Sequence, residues 1–330
     1  MAETGGSPLP PQPRAGSALS RAERFVRLTA RVLEQRRFAH HFLGGGAETV
    51  DTALAAYRNE GGGYGHGLDP GLRGPASRPP HAGHALRVLD SIGLCGGQRA
   101  ERLCRYLASV STSDGALPAA GPGDRPHGAG RAAPAVGEQS GGLLATEPAV
   151  GLLHRNEVWH AWLFRATDFC WQAVESLERP RPDEAEAAVA FLDAVPDRRR
   201  AEAAAGRLGR LVRAQRLVAR VPEGPQHPLG AYGTAQDGLR LPYHYARTPR
   251  SLARAWFTDE EVSRALDFLE GGQQEDGGWP FPPRSPARED RSRGQWSPGV
   301  VLEVRPIVTV EALRTLRAYG RPLGRPAPGD

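Results

Sequence analysis

A glycine-rich turn recurs after helical runs in this chain, and it constrains the fold more than any other feature. The clearest copy, residues 271–279, follows an apolar run at helical spacing over residues 258–270. A second copy spans residues 106–117, and a shorter one spans residues 59–65. Residues 236–239 form a candidate fourth copy. A chain that repeats this unit is predicted to stack helical units on one another.

The spacing of the turns and the remaining pattern predict an all-α fold. Gly62 and Gly115 lie 53 residues apart, the length of a helix pair with its loops. Strand-like alternation is missing, and about ten helices are expected. They include residues 81–92, 98–110, 146–153, 157–177, 183–194, 199–218 and 309–319. Residues 118–142 are expected to be irregular, and residues 19–322 to form one domain between disordered tails at 1–18 and 323–330.

The clearest turn resembles the Gln–Trp repeat of the prenyltransferase/squalene–hopene cyclase superfamily. The residues that carry this resemblance are Arg264, Ala265, Phe268, Leu269, Gln273, Gly277 and Trp279. In the second copy Ser111 replaces Gln and Leu117 replaces Trp. The resemblance implies an α/α toroid over residues 20–320 with a largely apolar central cavity. In such proteins Gln273 and Trp279 would hold neighbouring helices together.

The resemblance does not supply the family's catalytic groups. Class II terpene cyclases protonate an alkene or epoxide through an Asp-x-Asp-Asp motif, and this chain has no two consecutive aspartates. The diphosphate-magnesium motif of class I synthases is also missing, and the zinc set of protein prenyltransferases cannot be placed on Cys95, Cys104 or Cys170. We therefore expect no metal and no cofactor. The three cysteines are expected to be free buried thiols in a reducing cytoplasm.

Composition narrows the classes of partner. The net charge is +5 and all 42 basic residues are arginine, because the chain contains no lysine. The arginines are scattered and form no basic stripe with interleaved aromatics, so nucleic-acid binding is not expected. No run of 18 apolar residues occurs, so no membrane span is expected. The oligomeric state is left open.

The segment 157–171 is the most aromatic part of the chain and the leading candidate for a catalytic site. On a helix, one face would carry two carboxylates and two rings: Glu157, Phe164, Asp168 and Trp171. The opposite face would carry Trp159 and Trp162. A helix that is apolar on both sides is buried on both sides, and burial raises the pKa of a carboxyl group. Asp168 or Glu157 could then donate a proton within an aromatic cavity; alternatively the rings are core and Asp168 pairs with Arg165.

Loops supply the remaining candidates. His66 and Asp69, which follow Tyr64 in the first turn, could form a hydrogen-bonded acid–base pair or an Asp-Pro turn with an exposed histidine. Tyr243 and His244 could face a cavity mouth or lie in a surface loop. Further candidates for binding substrate are two more tryptophans and a glutamate expected just before the final helix: Trp279, Trp296 and Glu303.

Three functions remain compatible with these patterns. The first is a cofactor-independent cyclase or isomerase that protonates a hydrophobic polyene or isoprenoid. The second is a carbohydrate hydrolase or lyase, with candidate carboxylates in the turns at Asp69, Asp114, Asp237 and Asp276. The third is a non-catalytic protein that binds a hydrophobic ligand. An apolar cavity would favour the first function, and a polar cleft with exposed aromatics would favour the second.

Overall fold

The computed structural model describes residues 16–118, 138–221, 239–281 and 298–324. Within these ranges the chain forms α-helices, one short 3₁₀ helix at Leu252–Trp256 and two isolated β-bridges, but no strand. The predicted all-α class is therefore confirmed for the described residues. The helices are α1 Ala18–Thr29, α2 Val32–Phe42, α3 Ala47–Ala55, α4 Pro79–Ser91, α5 Gly97–Val110, α6 Glu138–Arg155, α7 Ala161–Ser176, α8 Pro182–Leu192, α9 Arg198–Ala214, α10 Pro242–Tyr245, α11 Asp259–Gly271 and α12 Pro298–Ala318.

Helices α4, α6, α8 and α10 follow one another as neighbours, and odd-numbered helices lie against them. Helix α6 packs between α4 and α8, and α8 also contacts α10. The odd-numbered α5 and α9 pack on α4 and α8 respectively, while α7 packs on both α5 and α6. Helix α12 contacts α11 but also α1 and α2, so the last helix of the chain meets the first two.

The glycine-rich turns after α3, α5 and α11 share one backbone geometry. In each, the amide of the fourth turn residue donates to the carbonyl of the first, and the first amide donates to the carbonyl of the fifth, over 2.8–3.0 Å. The donating fourth residue is a glycine with φ of 83°, 92° and 92°, a conformation that L-residues rarely adopt. These residues are Gly62, Gly115 and Gly277.

Close packing gives a second reason for glycine at these positions. A Cβ atom on Gly62 would lie 2.6 Å from the carbonyl oxygen of Arg102 in α5. On Gly115 it would lie 2.6 Å from the amide nitrogen of Ala166 in α7, and on Gly277 it would lie 2.2 Å from a carbonyl oxygen in α1. Each turn thus packs on the next odd-numbered helix, and the turn after α11 packs on α1. The repeat predicted from the sequence is present as three turns of one design.

The residue two positions after each glycine enters the core. Tyr64, Leu117 and Trp279 are at most 4% exposed. The amide of Leu117 donates to the hydroxyl of Thr146 in α6 over 2.8 Å, and the amide of Trp279 donates to the hydroxyl of Thr309 in α12 over 3.0 Å. Each of these turns is thereby fixed to the even-numbered helix that follows it.

Some predicted boundaries are wrong. Helix α12 begins at Pro298 rather than at residue 309, so Glu303 lies inside the helix instead of before it. Helix α6 begins at Glu138, inside the region expected to be irregular. Both helices contain an internal proline, Pro148 in α6 and Pro306 in α12, which removes one backbone hydrogen bond from the helix.

Residues near the two ends of the described part of the chain are hydrogen-bonded to one another. Ser17, which is 1% exposed, caps α1 by accepting a hydrogen bond from the amide of Ser20. The amide of Leu19 donates to the carbonyl of Leu323 over 3.2 Å. Ordered structure therefore extends into both segments that were expected to be tails, at 16–18 and at 323–324.

Candidate functional site

Charged side chains from three even-numbered helices and a loop meet at one place. Arg37 of α2 donates to Glu311 of α12 over 2.6 Å, and Arg314 donates to both carboxylate oxygens of Glu311 over 3.1 Å. Arg87 of α4 and Arg247, which follows α10, are close enough to Glu311 to interact electrostatically. We call Arg37, Arg87, Arg247, Glu311 and Arg314 the central cluster.

Water reaches most of the central cluster. The side chains of Glu311, Arg314 and Arg247 are 33%, 30% and 59% exposed, and Arg87 is also exposed. Arg37 is the exception at 2%. Since these side chains come from three helices and a loop and most of them are accessible, they form a charged surface that water reaches, which we call the central hollow.

Arg87 is the least satisfied cation of the cluster. No hydrogen-bond or ion-pair partner for its guanidinium occurs in the described ranges. Burial lowers the pKa of Arg87, and the nearby charge of Arg247 lowers it further, although Asp69 and Glu311 oppose this effect. A cation that is repelled by its neighbours and unpaired is well placed to receive an anion.

His84 lies one helical turn before Arg87 and is 6% exposed. Burial lowers the pKa of His84 well below its usual value, and the charges of Arg87 and Arg37 act in the same direction. The imidazole is therefore neutral at pH 7 and has the form required of a proton acceptor.

A second pairing flanks the central cluster. Glu186 of α8 pairs with Arg240 over 3.1 Å and with Arg247. Burial opposes ionisation, but Arg247, His244 and Arg240 together lower the pKa of Glu186 to about 2. Burial also lowers the pKa of His244 to about 4, despite the opposing charge of Glu186. Tyr243 is 4% exposed, and its ring lies 4.4 Å from that of His244.

The predicted pair of His66 and Asp69 is not formed. His66 Nε2 lies 2.8 Å from the side-chain oxygen of Asn59, while a carboxylate oxygen of Asp69 accepts from the amide of Gly71 over 2.9 Å. The Asp69 amide donates to His81 Nδ1 over 2.9 Å. Asp69 thus faces the buried histidine of α4, and its charge reaches Arg87.

Glu303 belongs to a neighbouring, internally paired network. It accepts from Arg73 over 2.5 Å and lies 3.9 Å from Arg31. Arg31 also pairs with Glu34 of α2 and donates to the carbonyls of residues 67 and 68. This network fixes the first glycine-rich turn against α2.

The leading sequence candidates line a different cavity. Glu157, Trp159, Phe164 and Asp168 border a groove of about 520 Å³ between the end of α6 and the start of α7. We call it the aromatic groove. Trp159 and Phe164 are 81% and 62% exposed, and both carboxylates are exposed. The prediction that these acids are buried is wrong because α7 begins only at residue 161 and turns this face to solvent. Glu157 precedes the helix with a φ of 53°.

The other aromatic candidates among the described residues lie in the core. The indole of Trp162 donates to the carbonyl of Gly115 over 3.1 Å, and that of Trp279 donates to the carbonyl of Leu269 over 2.7 Å. Trp171 is 5% exposed and packs edge-on against Phe191. Tyr64 is also buried. Trp296 and the candidate turn residues 236–238 lie outside the described residues.

Sequence reasoning missed Glu147 of α6. The residue has no exposed surface, and neither carboxylate oxygen has a hydrogen-bond partner among the described residues. Burial raises the pKa of Glu147 well above its usual value, and the charge of Glu184 raises it further. Burial therefore favours the protonated acid, and the side chain has no surface that faces the central hollow.

The residues at the central cluster that were not predicted leave only a weak pattern in the sequence. His84 and Arg87 stand three residues apart on α4 and share a face with one another. Arg37 and Glu311 give no local signal, because they pair across 274 residues.

Three further properties of the described residues concern metal ligands, membrane-spanning helices and cysteines. The described ranges contain no group of three or more His, Cys, Asp or Glu side chains that could hold a metal ion. None of their helices combines the length and apolarity that a membrane span requires. Cys95, Cys104 and Cys170 are free and buried, as predicted.

Comparison with known proteins gives little more. No family model and no curated sequence matches the chain. One solved structure, the crystal structure of a protein from Actinoplanes, aligns with a TM-score of 0.49 and 18% identity over 92% of this chain and 89% of that one. At that identity and score the similarity identifies neither a family nor an activity.

Proposed function

We propose that the even-numbered helices form the inner ring of an α/α toroid and the odd-numbered helices its outer ring. The proposal is supported at both ends of the chain. Helix α12 contacts α1 and α2, and the turn after α11 packs on α1 as the earlier turns pack on α5 and α7. The repeat resemblance to the prenyltransferase/squalene–hopene cyclase superfamily leads to the same architecture. The central hollow would then be the lumen of the ring.

The central hollow is proposed to bind a polar organic anion, and the unpaired guanidinium of Arg87 carries this proposal. Five arginines at the centre and its flank face three carboxylates, those of Asp69, Glu186 and Glu311. His84 is neutral at pH 7 and does not change the excess of positive charge. A guanidinium favours carboxylate and phosphate because its fork of N–H groups matches two oxygens.

This excess of positive charge makes the polyene cyclase the least supported of the three hypotheses. Proton-initiated cyclisation needs a protonated acid inside an apolar cavity. Although burial favours the protonated forms, arginine neighbours lower the pKa of both Glu311 and Glu186, so neither keeps a proton at pH 7. Glu147 keeps its proton but has no exposed surface from which to donate it.

Among carbohydrate reactions, elimination fits the centre better than hydrolysis. Hydrolysis uses one protonated and one ionised carboxyl group, whereas Glu186 and Glu311 are both ionised. For a sugar acid, Arg87 would neutralise the substrate carboxylate, and His84 would take the proton from the adjacent carbon. The carbon–oxygen bond at the carbon next to the deprotonated one would break as the double bond forms. The departing oxygen would take a proton from water. We therefore propose a lyase-type enzyme acting on an acidic carbohydrate.

Calorimetric titration tests the anion site directly. The probes are galacturonate, trigalacturonate, neutral glucose and farnesol. We expect the two acids to bind, and Arg87→Gln to weaken that binding about tenfold or more, as for the loss of a charge-assisted contact. Arg105→Gln, at an exposed residue of α5 that is 65% exposed, is the matched control.

Three outcomes would contradict the proposal. Farnesol binding without binding of the acids would favour the apolar cavity of the cyclase hypothesis. Equal binding of glucose and galacturonate, or equal loss in both arginine variants, would mean that Arg87 does not recognise an anion. An unsaturated product that absorbs in the ultraviolet, because the new double bond is conjugated with the carboxylate, would identify elimination.

A further inference from the structure

The aromatic groove is chemically the opposite of the central hollow. Its lining joins two carboxylates, Glu157 and Asp168, to the exposed rings of Trp159 and Phe164. The volume, about 520 Å³, is that of a small-molecule site. The lining also includes three apolar side chains, those of Val158, Leu163 and Pro196.

No cation neutralises this lining. The carboxylates of Glu157 and Asp168 form no hydrogen bond or ion pair among the described residues. Neighbouring arginines are engaged elsewhere: Arg155 with Asp90, Arg198 with the carbonyl of Leu192, and Arg200 with Glu175. Arg200 contributes a more distant charge that interacts with Asp168.

The histidines of the groove add no positive charge that would offset the carboxylates. His154 Nε2 bonds the Thr167 hydroxyl over 2.8 Å, and burial lowers the pKa of His154. His160 Nδ1 accepts the amide of Trp162 over 3.1 Å and so carries no proton at that nitrogen. The lining therefore keeps the negative charge of its two carboxylates.

The rings are arranged as two sides of an open corner. The centroids of Trp159 and Phe164 lie 6.4 Å apart, and their planes are inclined by 54°. A ring face attracts a cation through its quadrupole, and tryptophan does so most strongly. Carboxylates beside such rings add attraction for positive charge, whereas they would repel a second anion.

We propose that the aromatic groove binds a small organic cation of the quaternary or primary ammonium class. Trp159 and Phe164 contact the cationic head, and Glu157 and Asp168 supply the opposing charge. This site is independent of the anion site proposed for the central hollow, since the two share no residue.

The test uses choline and its uncharged isostere, 3,3-dimethylbutan-1-ol, which have the same shape. Calorimetry and quenching of tryptophan fluorescence are measured for the full-length protein. We expect choline to bind about tenfold more tightly than the alcohol. Trp159→Ala and Asp168→Asn are each expected to weaken choline binding about fivefold, the size of a cation–π or ion-pair contribution at a partly exposed site.

The matched control is Glu178→Gln, an exposed glutamate away from the groove. It is expected to leave choline binding unchanged. Thermal unfolding shows whether each variant is folded, and Trp159→Phe keeps an aromatic ring if the alanine variant is not. Equal binding of the two probes, no binding of choline, or preferential binding of a neutral oligosaccharide would overturn the proposal. Loss of a dimer in Trp159→Ala would also overturn it, by assigning the rings to a second copy of the chain.

Discussion

Helices α6 and α12 carry the same anchor but place their glutamates in opposite surroundings. Each helix has a threonine with no exposed surface, Thr146 or Thr309, that binds the amide of the residue entering the core after a glycine-rich turn. Glu147 follows its threonine by one residue, and Glu311 follows its threonine by two. The threonines therefore give a common reference for comparing the two glutamates.

One residue along a helix rotates a side chain by about 100°. Glu311 is turned toward the central hollow, where Arg314 and Arg37 lower its pKa although burial opposes them. Glu147 instead takes the place that Val310 occupies in α12, which is fully buried. Burial raises the pKa of Glu147, and no arginine offsets it. The charge state of a glutamate here depends on its register within the helix more than on its depth in the protein.

The largest expected effect comes from Glu311→Gln. The change leaves the guanidinium of Arg37, which is 2% exposed, without its carboxylate. Removing one partner of a buried pair is strongly destabilising, so we expect a loss of about 3 kcal/mol in the free energy of unfolding at pH 7, measured by urea denaturation.

The pH dependence of this loss follows from the direction of the pKa shift. The pKa of Glu311 is lower in the folded state, so its contribution is present above the unfolded value of 4.5 and is lost as the pH falls below it. The variant and the wild type should converge in acid. Glu260→Gln, in an exposed pair with Arg264, is the control and should cost less than about 0.5 kcal/mol. Equal losses in the two variants would show that the central pair does not contribute.

The shared anchor gives the next prediction. Thr146→Val and Thr309→Val each leave a buried backbone amide without its acceptor, at Leu117 and at Trp279. We expect each to reduce the free energy of unfolding by about 2 kcal/mol, the cost of an unsatisfied buried donor. The measurement is again urea denaturation at pH 7.

Thr52→Val is the control, since the hydroxyl of Thr52 bonds only within α3 and the residue is exposed. It should change stability very little. A large loss in only one of the two buried variants would mean that α6 and α12 are not equivalent, and the comparison of their glutamates would then lose its reference.

The local part of the fold was predictable from sequence. Thr258 caps α11 with Glu261, an arrangement that their three-residue spacing favours, and three turns share the expected glycine. These features depend on residues within one turn of the chain. The beginnings of α6 and α12 were predicted too late in the chain. Proline is tolerated in the first turn of a helix, where position 148 falls if the helix starts at 146, but packing against neighbouring helices keeps both helices continuous through Pro148 and Pro306.

The candidate site was predictable only in part, because its contacts are distant in sequence. Asp69, His244 and Glu303 do lie near the central cluster, but the arginines that define this cluster were not predicted. Glu157 and Asp168 do share a cavity with Trp159, yet on the solvent side. A helical pattern shows which residues share a face, but it does not show which face meets water.

The smallest effect is the most direct test of the contrast between the two glutamates. Glu147→Gln keeps the shape of the side chain and removes the proton equilibrium. The pKa of Glu147 is raised in the folded state, so its contribution to stability is full below the unfolded value of 4.5 and is lost as the pH rises toward the folded value. The variant should therefore equal the wild type in free energy of unfolding at pH 4 and exceed it at pH 8 by about 1 kcal/mol or more, since each unit of raised pKa contributes about 1.4 kcal/mol.

The two variants differ in sign. Glu147→Gln becomes more stable than the wild type as the pH rises, whereas Glu311→Gln becomes less stable than the wild type as the pH rises. Glu202→Gln, at an exposed site in α9, serves as the control and should show no dependence on pH. If Glu147→Gln instead destabilises the protein at pH 8, then the ionised carboxylate must be stabilised in the folded state. Position 147 would in that case hold a charge as position 311 does, and helix register could no longer account for their difference.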